Sequence, residues 1–199
     1  DAFLVKDYAR DPEGNQIYNN GRVQFNPFLS VYGYSDPDWI WGLSTQISYK
    51  NWVLSASLDG RVGGMISSMT NSYLWVSGSH PGTLTAERAA DAATPGSKNF
   101  LGKGVKVVSG SVKYDKYGNV LSDDRVYAEN DVYTTYSQYA QDMHAGIAWG
   151  GNSRPADSFS GTFFKLREFS LAYTIPARFT SHWAKSVSLA LVGQNLLMW

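Results

Sequence analysis

The chain has 199 residues and no Cys, which excludes disulfide staples, thiolate metal sites and thiol nucleophiles. It carries 17 Lys and Arg against 17 Asp and Glu, so no net field draws it to nucleic acid or an anionic membrane surface. Aromatics reach 15% while charged residues make up 17%, below the usual quarter or so, a balance that suits a β-rich protein rather than a helical bundle.

No apolar run approaches the roughly 18–20 residues of a membrane helix. No basic n-region with an apolar stretch follows Asp1, so no signal peptide is expected there. Residues 1–38 read as irregular polar connection. Asp11-Pro12-Glu13-Gly14 has the Pro and Gly placement of a type I turn, and Asn19-Asn20-Gly21 is a second turn signal.

The strongest periodicity lies in 39–66. Over 39–50 the odd positions (Trp39, Trp41, Leu43, Thr45, Ile47, Tyr49) form one face of a strand and the even ones (Ile40, Gly42, Ser44, Gln46, Ser48, Lys50) the other. After Lys50-Asn51 the alternation resumes, with Trp52, Leu54, Ala56, Leu58 and Val62 on one face. Ser55, Ser57, Asp59 and Arg61 fall on the other, and Val53 is the exception. The two runs predict an antiparallel hairpin with a tight turn.

Residues 67–158 lose this periodicity. A short strand is expected within 103–112, a hairpin turn at Asp115-Lys116-Tyr117-Gly118-Asn119, and short helices at 85–93 and 134–145. A structureless stretch of such length would be unusual in a compact domain, so the segment is expected to hold small elements of its own.

Alternation returns in 159–199. Phe169, Leu171, Tyr173 and Ile175 share a face, but Phe164 and Leu166 are out of phase with them. Either a β-bulge intervenes or the strand changes environment. Pro176 stops this strand, and 186–199 reads as a fourth, with Val187, Leu189 and Leu191 on one face.

Alternation of this kind fits a soluble sandwich with its apolar face inward. It fits equally a membrane barrel with its apolar face on lipid. Three features favour the membrane. The first strand runs to 12 residues on the alternating pattern, where about 9–11 tilted residues cross a bilayer and soluble strands average about 5–6. Trp39 and Trp41 at one end, with Tyr49 and Trp52 at the other, resemble two interfacial girdles. A tight turn at one end and a long excursion at the other matches the loop asymmetry of outer-membrane barrels.

Catalytic constellations are weak. His80, His144 and His182 are isolated in sequence and read as surface or loop residues, with no HExxH. Asp123, Asp124, Glu129 and Asp131 lack EF-hand spacing and read as solvated loop charge. Lys165, Arg167 and Glu168 read as lumen or rim salt-bridging residues that fix strand register, with substrate contact the lesser alternative. Trp75, Tyr133, Tyr136, Tyr139 and Trp149 are many aromatics for a polar loop. They either pack a small core or contact substrate or a partner, since an aromatic face suits the CH face of a sugar.

Six stretches, taken in order, carry a resemblance. They are Val5-Lys6-Asp7-Tyr8-Ala9-Arg10-Asp11-Pro12-Glu13-Gly14, Asp36-Pro37-Asp38-Trp39-Ile40-Trp41-Gly42-Leu43, Ser48-Tyr49-Lys50-Asn51-Trp52, Leu58-Asp59-Gly60-Arg61-Val62-Gly63-Gly64, the strand from Phe163 through Lys165-Leu166-Arg167-Glu168 to Pro176, and Val192-Gly193-Gln194-Asn195-Leu196-Leu197-Met198-Trp199. In order and approximate spacing the set resembles the C-terminal barrel portion of the SusC/RagA-type TonB-dependent outer-membrane transporters.

The resemblance implies an all-β fold, part of a large antiparallel transmembrane β-barrel with a long extracellular loop region. On it, 1–38 is an extracellular loop segment, 39–66 and 159–199 are barrel hairpins, and 67–158 is a long extracellular loop with small elements. Gln46, Asp59 and Arg61 are expected to face the lumen. The implied function is TonB-dependent import of oligosaccharides or other nutrient oligomers across a Gram-negative outer membrane. No covalent chemistry and no cofactor are expected. The implied partners are the plug and remaining barrel of the same transporter, TonB, a SusD-like surface lipoprotein, an oligosaccharide or peptide substrate, and outer-membrane lipid. The rival readings are a soluble β-sandwich glycan-binding module and a secreted glycosidase, the latter disfavoured because no paired carboxylates stand out.

Overall fold

The computed structural model describes residues 1–199 and divides them into two units. The first holds residues 1–34 and 66–159, the second 35–65 and 160–199. Strand accounts for 46% of the chain and helix for 20%, in several sheets of which none is closed.

In chain order the elements begin with β1 (Ala2–Val5), β2 (Ile17–Asn19), β3 (Arg22–Val23), β4 (Ser30–Tyr34), β5 (Trp39–Tyr49), β6 (Trp52–Val62) and β7 (Met65–Ser67). Helices α1 (Met69–Val76) and α2 (Ala86–Ala93) come next, then β8 (Phe100–Leu101), β9 (Val105–Ser109), β10 (Val112–Tyr114), β11 (Val120–Asp123), β12 (Val126–Glu129) and β13 (Tyr133–Thr134). Helix α3 (Tyr136–Ala148), β14 (Ser158–Ser160), β15 (Phe163–Ile175), a short α4 (Ala177–Thr180) and β16 (Val187–Met198) complete the chain.

Unit 1 corrects the expectation for its first segment, since residues 1–38 are not irregular. Val5, Tyr8, Ile17, Tyr18 and Val23 are all buried, and β2 lies between β3 and β9 in a four-stranded sheet ordered β12-β9-β2-β3. Strands of two to five residues are too short for period-2 alternation to register, which is why the sequence shows only their turns. Those turns are as read. Gly14 N–H donates to the Asp11 carbonyl at 3.0 Å, and Asn20 and Gly21 both take positive φ (50° and 75°) between the paired Asn19 and Arg22, as a type I′ turn requires.

The helices expected around 85–93 and 134–145 are present as α2 and α3. Each is started by a threonine, Thr85 Oγ1 accepting from Arg88 N and Thr135 Oγ1 from Gln138 N, which satisfies a first-turn donor. Helix α1, capped by Ser68, was not foreseen. Its interior position is fixed by packing on α3, where Ser72 Oγ donates to the His144 carbonyl.

Unit 2 is one antiparallel sheet of four long strands, ordered β16-β15-β6-β5. Its first turn is the predicted Lys50-Asn51, with Lys50 at φ 52° and Tyr49 opposite Trp52. Strand β15 pairs with β6 on one side and β16 on the other, and both ladders shift register between Leu166 and Glu168. The phase break seen in the sequence is therefore a β-bulge at Arg167. On β16, Asn195 (φ 53°) and Leu196 lie across from it.

The bulge makes a sharp prediction about deletions. Without Arg167, Leu166 and Glu168 become neighbours and alternation runs unbroken, so the variant should keep its sheet faces and lose only the Arg167 contacts. Removing Ser170 instead forces Glu168 onto the apolar face and Phe169 off it. Assembly yield should fall for the Ser170 deletion and stay near wild type for the Arg167 deletion; the reverse order would rule out the bulge.

Candidate functional site

The register sorts unit 2 into two chemically opposite faces. Across β5, β6, β15 and β16 one face carries the rows Ile47, Leu54, Leu171, Leu191 and Leu43, Leu58, Leu166, Leu197, with Thr45, Ala56, Phe169 and Gly193 between them. Phe164 and Leu166 join Phe169 on this face because the bulge absorbs the extra residue. The row beyond Leu43 contains Trp41 and Phe164, whose rings are 5.9 Å apart, and the row beyond Ile47 contains Trp52 and Tyr173 at 4.6 Å. The Trp41 indole lies over Gly60, where a Cβ would come within 2.6 Å of the ring, so Gly60 is the seat that lets the ring lie flat.

This aliphatic band between two aromatic ends is uncovered. Leu43 is 58% and Leu191 72% exposed. Ten residue steps separate Trp39 from Tyr49. At about 3.3 Å per step and a tilt of about 40° they span roughly 25 Å, the height of the apolar band on an outer-membrane barrel.

The opposite face carries the sheet's polar side chains, with Ile40, Val53, Phe163 and Val192 among them. Ser44 Oγ and Ser57 Oγ are 3.1 Å apart, and Gln46 is paired across from Ser55, as Glu168 is from Ser57 and Gln194. Ser44, Gln46, Ser55, Ser57 and Glu168 line a shallow cleft of about 290 Å³. Arg167 grips Asp59 with two parallel bonds of 2.8 and 2.6 Å, and Arg61 donates to the Ser35 carbonyl at 2.8 Å. The predicted Gln46, Asp59 and Arg61 thus share one face. The bulge aims Arg167 at the carboxylate one strand away, which ties β15 to β6 at the register shift.

The predicted contact aromatics of unit 1 separate into two groups. Tyr136 is buried and Tyr139 half-buried, the latter 4.3 Å from the Phe100 ring, and Tyr139 packs on the Tyr8, Tyr18, Val23 cluster. Trp75 is sandwiched between His80 (4.5 Å, 16° between planes) and His144 (4.3 Å, 6°). These three are interior packing. Tyr133 and Trp149 remain exposed, Trp149 meeting Tyr73 edge-on at 6.4 Å.

His144 corrects the surface reading. It is buried, and its Nδ1 lies 2.9 Å from Oδ1 of Asp157, a carboxylate with no exposure at all. Asn71 Nδ2 donates to the same oxygen at 2.7 Å, and Ser68 N–H to the Asp157 carbonyl at 2.9 Å. No sequence signal marks this pair, thirteen positions apart with α3 ending between them. The four acidic residues of the loop do not converge. Asp123 pairs with Arg125 and Asp131 with Lys106, both at 2.6 Å, while Asp124 accepts from Ser111 N–H at 2.8 Å. A second buried carboxylate, Asp142, holds Arg22 bidentately at 2.7 and 2.6 Å and fastens α3 to β3.

Burial pushes the Tyr18 hydroxyl up to about 12 and raises that of Tyr8 as well. A raised folded-state pKa contributes stability that is intact below the ordinary tyrosine value of 10.0 and is lost as pH climbs through the folded value. Unit 1 should therefore loosen between pH 10 and 12. Tyrosinate absorbance should rise first for exposed rings, then in a cooperative step that Tyr18→Phe shifts to higher pH. A single step in which all tyrosines ionise together at their ordinary pKa would contradict the burial.

A comparison with protein-family models and one with curated proteins each find no match to this chain.

Proposed function

We propose that β5, β6, β15 and β16 are membrane-spanning strands of an outer-membrane β-barrel, and that the chain is part of a TonB-dependent transporter of the SusC/RagA type importing oligosaccharides or other nutrient oligomers. The observation that carries this reading is the uncovered apolar face of unit 2, an aliphatic band bounded by an aromatic row at each end and backed by a polar face. A soluble sandwich needs a second layer on that apolar face. Lipid covers it without one.

Two further features support the reading. Both outer strands, β5 and β16, run eleven and twelve residues with unpaired outer edges. Backbone groups at such an edge are tolerated in a bilayer only when further strands pair with them. The connections at the Tyr49 end are the Lys50-Asn51 turn and the stretch 176–186, whereas the β6–β15 connection at the other end spans most of unit 1. The asymmetry, on this reading, puts the Tyr49 end on the periplasmic side and the 67–158 segment outside. On this reading Gln46, Asp59 and Arg61 face the lumen. The plug, TonB and a SusD-like lipoprotein are partners of the assembled transporter.

Solubility tests it. Residues 1–199 expressed alone are expected to need detergent or lipid to stay dispersed. A monodisperse, detergent-free monomer with a cooperative melt would reject the membrane assignment and return the chain to the β-sandwich glycan-binding alternative.

A further inference from the structure

Arg154 is the one guanidinium in unit 1 that is held in place yet given nothing to bind. Its flat group lies 3.8 Å over the Phe25 ring. Its stem crosses α3 at Gly146, where a Cβ would stand 2.9 Å from Arg154 Cγ and 3.1 Å from Nε. Glycine inside a helix is less favourable than alanine, and here it gives the arginine its groove. Nε is fully buried without a hydrogen-bond partner. Asp142, the nearby buried carboxylate, is already taken by Arg22, and Asp157 bonds His144 and Asn71 through Oδ1, its buried Oδ2 making no hydrogen bond to Arg154.

The group opens into a pocket of about 370 Å³ whose walls include Lys6, Phe25, Trp149 and Asn152, a volume at the small end for ligand sites. Lys6 Nζ donates to the Pro27 carbonyl at 3.0 Å, which fixes its ammonium at the rim with protons to spare. Trp149, 70% exposed, is braced edge-on by Tyr73 and presents an open indole. The pocket therefore combines a planar fork without an acceptor, a second cation and a solvent-facing aromatic platform.

We propose that this pocket binds a carboxylate carried on a saccharide ring, a uronic acid unit, with the carboxylate on the Arg154 fork and the ring against Trp149. With Nε buried, the Nη1 and Nη2 end of the planar group is the edge that matches a planar carboxylate through two parallel bonds. The indole takes the CH face of the ring that holds it, and Lys6 adds charge at the pocket mouth. Nothing in this assignment depends on unit 2 spanning a membrane.

Calorimetric titration of the full chain in detergent micelles with digalacturonate, and with the neutral galactose disaccharide, tests it. The acidic sugar should bind about tenfold tighter or more, the worth of charge-assisted bonds. Arg154→Gln should abolish that preference. Arg154→Lys should fail to restore it, because an ammonium lacks the fork. Trp149→Ala, at an exposed position, should weaken both sugars alike and leave their ratio intact, and it keeps the test valid if Arg154→Gln does not fold. Equal binding of the two sugars, no binding of either, or an Arg154→Gln protein that folds and retains the preference would each overturn the proposal. Acetate binding as tightly as the sugar acid would remove the ring from the assignment. Inorganic phosphate binding as tightly would remove the carboxylate.

Discussion

On the proposed membrane assignment, arginine placed at Leu43, Leu54, Ala56 or Leu171 is expected to block insertion of the sheet, and arginine at Ser44 or Ser55 to be tolerated. Ala56 lies in the middle row with Thr45, Phe169 and Gly193, and Leu54 and Leu171 lie in the row next to it. At the bilayer midplane a lipid-facing arginine costs about 2–4 kcal/mol, falling to about 0–1 near the interfaces. Ala56→Arg should therefore be the most damaging. Leu43→Arg and Leu54→Arg should follow, and Val62→Arg, level with Trp39, should be mild. Ser44 and Ser55 stand on the polar face among Ser57, Gln46 and Glu168, where a long cation can reach water or the carboxylate. The readout is the heat-modifiable, folded fraction recovered from outer membranes or lipid vesicles. A protein layer over the apolar face would also punish Ala56→Arg, but it would not spare the aromatic ends, so the gradient along the strand separates lipid from protein. Equal tolerance on both faces would end the face assignment.

What could be read from the sequence follows the length over which each pattern persists. Strands β5, β6, β15 and β16 run eleven to thirteen residues, long enough for stretches of alternation to stand out. Even the interruption at Arg167 was visible, although its resolution as a bulge needed the partner strands. The pairing of β6 with β15 was not visible, since it joins segments about a hundred residues apart and each hairpin satisfies its own local pattern. Unit 1 hid its core for the opposite reason. Tyr18 and Val23 sit on strands too short to show a period, and Tyr8 on an isolated bridge to Phe25. Tyr136, Tyr139, Ala140 and Met143, by contrast, do carry a helical spacing that marks an inward face, a signal left unused in putting both tyrosines forward as contact residues. The Arg154 pocket had no sequence signal, because its meaning lies in which carboxylates are already engaged.

Replacing Asp157 by alanine is expected to be the most destabilising single change in unit 1. The carboxylate is fully buried and accepts from Asn71 and bonds His144 through one oxygen, while α1 is anchored through the Asp157 main chain. Alanine leaves the Asn71 amide and the His144 ring nitrogen without their shared partner in the interior. Each such loss costs about 1–3 kcal/mol, so the total should reach roughly 3 kcal/mol or more. Asn71→Ala removes one donor and leaves the histidine pair, and it should cost about 1 kcal/mol. Asp157→Asn keeps an acceptor at Oδ1 but buries an amide where Oδ2 has no partner, and it should fall between the two. Because His144 stacks on Trp75 at 4.3 Å, loosening the pair should also release the indole, so tryptophan emission reports the same event as chemical denaturation. The order Asp157→Ala, Asp157→Asn, Asn71→Ala in decreasing cost tests the network as a unit. An Asp157→Ala protein within about 0.5 kcal/mol of wild type, the range of ordinary surface changes, would show that the pair only occupies space between α1 and α3.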